Sequence, residues 1–187
     1  VVFPASMGLA LQTIPSSHGG VIMGILPLMT AVFAALIDGD RPSRLFWFCI
    51  VTGTLLVVTF ALREGGFELQ AGDLWLFFGS PLCSLGYVIS ARLSRDMPGW
   101  EVICWSLVLT APISLIGTWY TWAPDDINAS WISFGALTYL GLFSMFAGFF
   151  FWNIGLAMGG IARVGQVQLL QIFFTLGLSA LLLGEHI

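Results

Sequence analysis

Gln168, Gln171 and Thr175 stand at i, i+3 and i+7 in an otherwise apolar run. In a helix that spacing puts three polar side chains on one face. Asn153 follows directly on the aromatic run Phe149–Trp152. Tyr87 and Trp105 each carry a ring with a polar handle, and Gln12 lies near the end of the first apolar stretch. These are hydrogen-bonding and stacking groups, so the chemistry they suit is recognition of a ligand rather than bond making or breaking. A second role stays open for each. The Gln168, Gln171 and Thr175 stripe, and equally Asn153, can hydrogen-bond a neighbouring helix. Tyr87 and Trp105 can pack, or sit at a membrane interface.

Residues with stronger chemistry do not converge. Cys49, Cys83 and Cys104 fall in three different apolar runs, which suits small packing residues better than a metal site or a disulfide framework. His18 lies in the Pro15–Gly20 turn, where it can gate a proton or simply be solvated. His186 lies beside the end of the chain. No Asp, Glu or Arg stands in the middle of an apolar run, which argues against tight proton coupling. We therefore expect no catalytic residues, no metal and no cofactor, and a protein that is not an enzyme.

The elements that must position these groups are membrane helices. The chain is 58% hydrophobic and 9% charged, whereas soluble domains carry about a quarter charged residues. Apolar runs near the length of a bilayer span recur from end to end. The partners expected from this composition are the lipid bilayer and a small-molecule substrate. No basic patch points to nucleic acid, and a homodimer stays open. Seven segments are predicted: Val1–Ile14, too short to span, then Gly20–Ile37, Leu45–Leu62, Leu74–Leu93, Val102–Trp122, Trp131–Met158 and Val164–Leu183. The spacing predicts Pro27 in the middle of the second segment, a break at Gly79–Pro81 in the fourth, and a tilt or bend in the over-long sixth. Pro112 also falls inside a segment. Both ends of the chain look like cut edges, so a piece of a longer membrane protein is expected.

Alternate loops lie on opposite sides of a membrane. With the segments above, Arg41, Arg44, Arg92, Arg95 and Arg163 share one side and Arg63 has the other. The arginine bias then places the Arg41, Arg92 and Arg163 loops in the cytoplasm.

Two stretches look like copies. With Ile25–Asp40 laid on Leu170–Glu185, Thr30 meets Thr175, Ala35 meets Ala180 and Leu36 meets Leu181. Each ends in Gly and an acid, Gly39-Asp40 and Gly184-Glu185. We read these as helix ends, where Gly lets the chain turn and the acid seeks a donor. A gate latch is the other role open to them. The copies are five crossings apart, so they run in opposite directions through the bilayer. Inverted repeats of this kind belong to transporters that rock about a midplane site.

The stretches Pro27–Ala31, Gly39–Ser43, Phe151–Gly155, Gln171–Thr175 and Leu183–Glu185 resemble the EamA-like members of the drug/metabolite transporter superfamily. The resemblance implies an all-α transmembrane bundle of ten helices in two inverted five-helix repeats. About seven helices would be present here, the first of them partial. Residues 1–62 would end the first repeat, and residues 74–187 would form the second without its last helix. Asp40 stands where the family usually has Glu, and Ile172 where the second copy often has Pro. The resemblance further implies a secondary transporter or exporter in the bacterial inner membrane, moving small organic metabolites such as amino acids by alternating access. The substrate-binding candidates are Gln12, Tyr87, Trp105, Asn153, Gln168, Gln171 and Thr175. The alternatives are a non-transporting helical membrane module, which would have a sealed core, and an intramembrane enzyme on lipid-linked substrates, which would need convergent catalytic groups.

Overall fold

The computed structural model describes residues 2–15, 19, 23–65, 70–121 and 130–183. Among these, every regular element is helical, which the recurrent apolar runs require, because a helix satisfies its own backbone polar groups in hydrocarbon. The chain is an all-α polytopic membrane protein. Three described helices are long and apolar enough to cross a bilayer: Ala71–Leu93, Gly99–Thr121 and Trp131–Gly159.

The chain divides into two compact units. One comprises Val2–Ile89 and Gly159–Ile187. Its described elements begin with α1 (Val2–Ala10) and a 3₁₀ turn (Met23–Ile25) that leads into α2 (Leu26–Phe33). α2 continues as a π segment, Ala34–Asp38. α3 (Arg44–Gly65) and most of α4 (Ala71–Leu93) follow. After the other unit come α8 (Ile161–Gly165), α9 (Gln168–Leu178) and a π segment, Ser179–Leu183. The buried face of α4 reads Leu76, Ser80, Cys83, Ser84, Tyr87 and Val88, a helical spacing that mixes apolar and hydroxyl groups. Near its start, Leu76 packs with Ala10 and Ile14, fastening α1 to α4.

The two copies pass each other in opposite directions. Asp40, at the end of the first copy, meets Ala162 in the first turn of α8, ahead of the second copy. Thr30, further back along the first copy, meets Gly165. The 3₁₀ turn, further back still, packs against α9. The contacts therefore run in reverse order along the two stretches. The copies also share their winding. With Ile25 laid on Leu170, the α-to-π transition at Phe33–Ala34 falls on that at Leu178–Ser179, and both π segments span five residues. Gly39 ends the first with a left-handed φ of 75°, and its N–H donates to the Ala34 carbonyl. That is the helix-end role expected of Gly39. Gly184 and Glu185 lie outside the described residues.

The other unit comprises Ser90–Met158, with Val1. It holds α5 (Gly99–Thr121), α6 (Trp131–Tyr139) and α7 (Phe149–Gly159). A nine-residue π stretch, Leu140–Gly148, joins α6 to α7. Nearly all of its large apolar side chains are exposed, Trp131 to 90% and Trp119 to 83%. Water would not tolerate such a surface, whereas lipid does. Along α5, Ser106, Thr110, Ser114 and Thr118 each donate to the carbonyl four residues back, at 2.7–3.1 Å. These hydroxyls are thus satisfied without water.

Several segment expectations need correction. Pro27 sits in the first turn of α2, where a missing N–H costs nothing, and not in mid-helix. α4 runs unbroken through Pro81, and α5 through Pro112. A membrane helix tolerates the lost bond where neighbouring helices, hydroxyl side chains or a local change of winding re-satisfy the freed carbonyl. The long sixth segment contains a π-wound middle. The seventh, expected as one run, is interrupted at Gln166–Val167, and helix resumes at Gln168.

Candidate substrate site

The interruption in the seventh segment places the polar groups. α8 opens at Gly160, whose φ of 84° turns the chain, and closes at buried Gly165. A Cβ at Gly165 would lie 3.2 Å from Thr30 Cγ2, so a side chain here would press on α2 unless Thr30 gave by a few tenths of an ångström. The next residues are wound tightly: Gln166 N–H donates to Arg163 O at 3.2 Å, and Val167 N–H to Val164 O at 3.0 Å. The Gln166 side chain donates from Nε2 to Ala162 O at 2.9 Å, and its Oε1 is buried with no partner among the described residues. Gln168 then begins α9.

Gln168 and Tyr87 are joined. The Tyr87 hydroxyl hydrogen-bonds the Gln168 side chain and Cys83 on its own helix. Gln168 Oε1 is buried without a partner among the described residues, which leaves Nε2 as the donor to Tyr87. Tyr87 in turn can donate to the Cys83 sulfur. The interior of this unit holds further polar groups. Thr30, Ser80 and Ser84 are wholly buried. Ser84 donates to Leu26 O at 3.2 Å. The hydroxyls of Thr30, Thr54 and Ser80 find no partner among the described residues. Unpaired buried groups of this kind are rare in finished interiors and call for a water or a ligand. Ser80, Ser84 and Tyr87 recur at i, i+4 and i+7 in an apolar run, a signal of the same kind as the glutamine stripe, but among them only Tyr87 is anticipated above.

The remaining candidates do not all join this pair. Gln171 is exposed, so its spacing from Gln168 does not put both on a buried stripe. Thr175 lies in α9, but its side chain is outside the described residues, as is His18. Gln12 is exposed in the turn after α1, where its N–H donates to Leu9 O at 3.4 Å. Trp105 and Asn153 belong to the other unit. Trp105 is 57% exposed on α5. Asn153 is wholly buried on α7, with neither amide atom partnered among the described residues.

Buried polar groups without partners among the described residues of a polytopic helical membrane protein can meet a neighbouring helix, a water or a ligand. The sequence model of the EamA-like transporter family matches residues 70–187, and the chain belongs to that family. It is 45% identical to YdeK, an uncharacterized transporter of Bacillus subtilis (strain 168), over 99% of this chain and 64% of YdeK. It is 26% identical to another transporter of that organism, YyaM, over 93% of this chain and 57% of the relative. It is 23% identical to the aromatic amino acid exporter YddG of Ancylobacter novellus, over 85% of this chain and 56% of YddG. The chain thus spans less than two thirds of the length of these curated relatives. No solved structure matches it.

Proposed function

We propose that the full-length protein is a secondary transporter of small neutral or zwitterionic organic solutes, amino acids and related metabolites among them. It works by alternating access between two inverted five-helix repeats. Residues 1–62 belong to the first repeat and 74–187 to the second. The protein lies in the bacterial inner membrane with the Arg41, Arg92 and Arg163 loops in the cytoplasm. The observation that carries this proposal is the Gln168–Tyr87 hydrogen bond, with Gln168 Oε1 and, in the same unit, the Thr30 hydroxyl buried and without a partner among the described residues. A solute with both donors and acceptors would satisfy these groups, and its departure would expose them again. Family membership supports transport. The name of the YddG relative supports amino acids as the first solutes to try and outward movement as the first direction.

Gln12, Gln171 and Thr175 are proposed as further substrate contacts beside Gln168 and Tyr87, and Asn153 and Trp105 as substrate contacts that the other unit contributes. The test is flux of labelled aromatic and aliphatic amino acids by the full-length protein in liposomes. Gln168→Leu removes the bond to Tyr87, and Tyr87→Phe removes that bond and the one to Cys83, each worth about 0.5–1.5 kcal/mol. They should therefore raise KM roughly two- to tenfold, with a smaller effect on maximal rate. Absence of flux across a broad metabolite panel, or an unchanged KM in both variants, would overturn the proposal.

A further inference from the structure

The bond between Asp40 and Ala162 joins residues 122 positions apart, one at the end of the first copy and the other in α8, ahead of the second. Asp40 Oδ2 accepts from the Ala162 N–H at 3.1 Å. Both ends of this contact are held. Asp40 is placed by the left-handed Gly39 and by its own N–H, which donates to Ala34 O at 3.2 Å. Ala162 is buried, and its carbonyl accepts from Gln166 Nε2.

α8 depends on such help. It is five residues long, opens at a glycine, and makes no side-chain cap bond at its N-cap residue. A helix this short has too few internal bonds to hold its own orientation. Its first N–H groups need an acceptor from elsewhere, and a carboxylate is the acceptor best suited to that end. Its far end is fixed by Thr30 against Gly165. Three residues beyond Gly165 the chain reaches Gln168, bonded to Tyr87, which is bonded to Cys83.

We propose that Asp40 is a positioning residue for the Gln168–Tyr87 site: from the first copy of the repeat it supplies the cap that α8 lacks, and so sets where Gln168 meets Tyr87. Calling that pair a substrate site rests on the transport proposal; the positioning does not, and it can be read without flux.

Cys83 is the reporter, because it is 7% exposed and lies behind Tyr87. In the full-length chain with every other cysteine replaced, its rate of labelling by a small maleimide reports whether the Tyr87–Gln168 contact is closed. Asp40→Ala should raise that rate about three- to tenfold. Asp40→Asn, which keeps an acceptor oxygen, and Asp40→Glu should stay within about twofold of the parent. Thermal unfolding identifies the folded variants. Should Asp40→Ala not fold, Asp40→Ser, polar but one atom too short to reach the amide, is measured in its place. In liposomes the loosened variant should raise KM more than it lowers maximal rate, with rescue by Asp40→Glu. A folded Asp40→Ala or Asp40→Ser variant labelling at the parent rate overturns the proposal. Labelling that responds while the parent moves no solute supports the positioning and sinks the transport proposal alone.

Discussion

Asn153 carries a full amide into the interior of its unit and bonds nothing described there. A buried donor or acceptor left unpaired costs about 1–3 kcal/mol, and an apolar residue of similar shape avoids that cost. Asn153→Leu is therefore expected to raise the thermal midpoint of the detergent-solubilised protein while lowering flux. Sites that must meet a ligand are commonly less stable than they could be. A fall in both would mean that the amide has a structural partner among the residues outside this description. Gly39 makes a separate case at the same scale. A side chain at its φ of 75° costs roughly 1–2 kcal/mol for most residues. Gly39→Ala should lower the unfolding midpoint, and Gly39→Asn should lower it less, because asparagine tolerates the left-handed region.

At the scale of elements, the approach of α2 to α8 is set by one methyl group. At Gly165, alanine gains helix propensity, about 1 kcal/mol over glycine. It also brings a Cβ to 3.2 Å from Thr30 Cγ2. Thr30→Ser deletes that atom. Gly165→Ala should then be more favourable in the Thr30→Ser background than in the parent, with a coupling on the order of 1 kcal/mol. Additive effects, measured by unfolding midpoints of the four proteins, would show that the helices do not meet there. This contact also marks where sequence legibility stopped. The apolar run Val164–Leu183 reads as one span because Gln166 and Gln168 change its hydropathy little. What breaks it is tight winding after Gly165, which no side-chain pattern announces. The π segments are silent for a similar reason: Ala34–Asp38 and Ser179–Leu183 differ from α-helix by a register shift, not by composition. Proline misled in the other direction at Gly79–Pro81, where the helix simply continues, whereas Pro112 lies inside its helix as expected. The end of the first copy was legible because Gly39 punctuates it. The Gln168–Tyr87 pair was legible as two members and not as a pair, because residues 81 positions apart along the sequence meet only through packing.

At the scale of the molecule, the contacts Asp40–Ala162 and Thr30–Gly165 order the two copies in reverse. The end of the first copy therefore lies where the second begins. In a membrane this makes a demand that the arginine count makes independently. Ser43, just past the first copy, and Arg163, in α8, must face the same compartment, and Arg95 must join them if α3 and α4 both cross. Gln70, at the other end of α4, must face the opposite one. Single cysteines at these four positions, probed with a membrane-impermeant maleimide in intact cells and again after permeabilisation, separate the cases. Ser43→Cys, Arg95→Cys and Arg163→Cys should label only after permeabilisation, and Gln70→Cys before it. If positions 43 and 163 label from opposite sides, the two copies cannot be inverted partners. Alternating access would then lose its structural basis, even if the protein moved a solute. If all four labels exchange sides together, the repeat survives and only the assignment of the arginine-rich face to the cytoplasm fails.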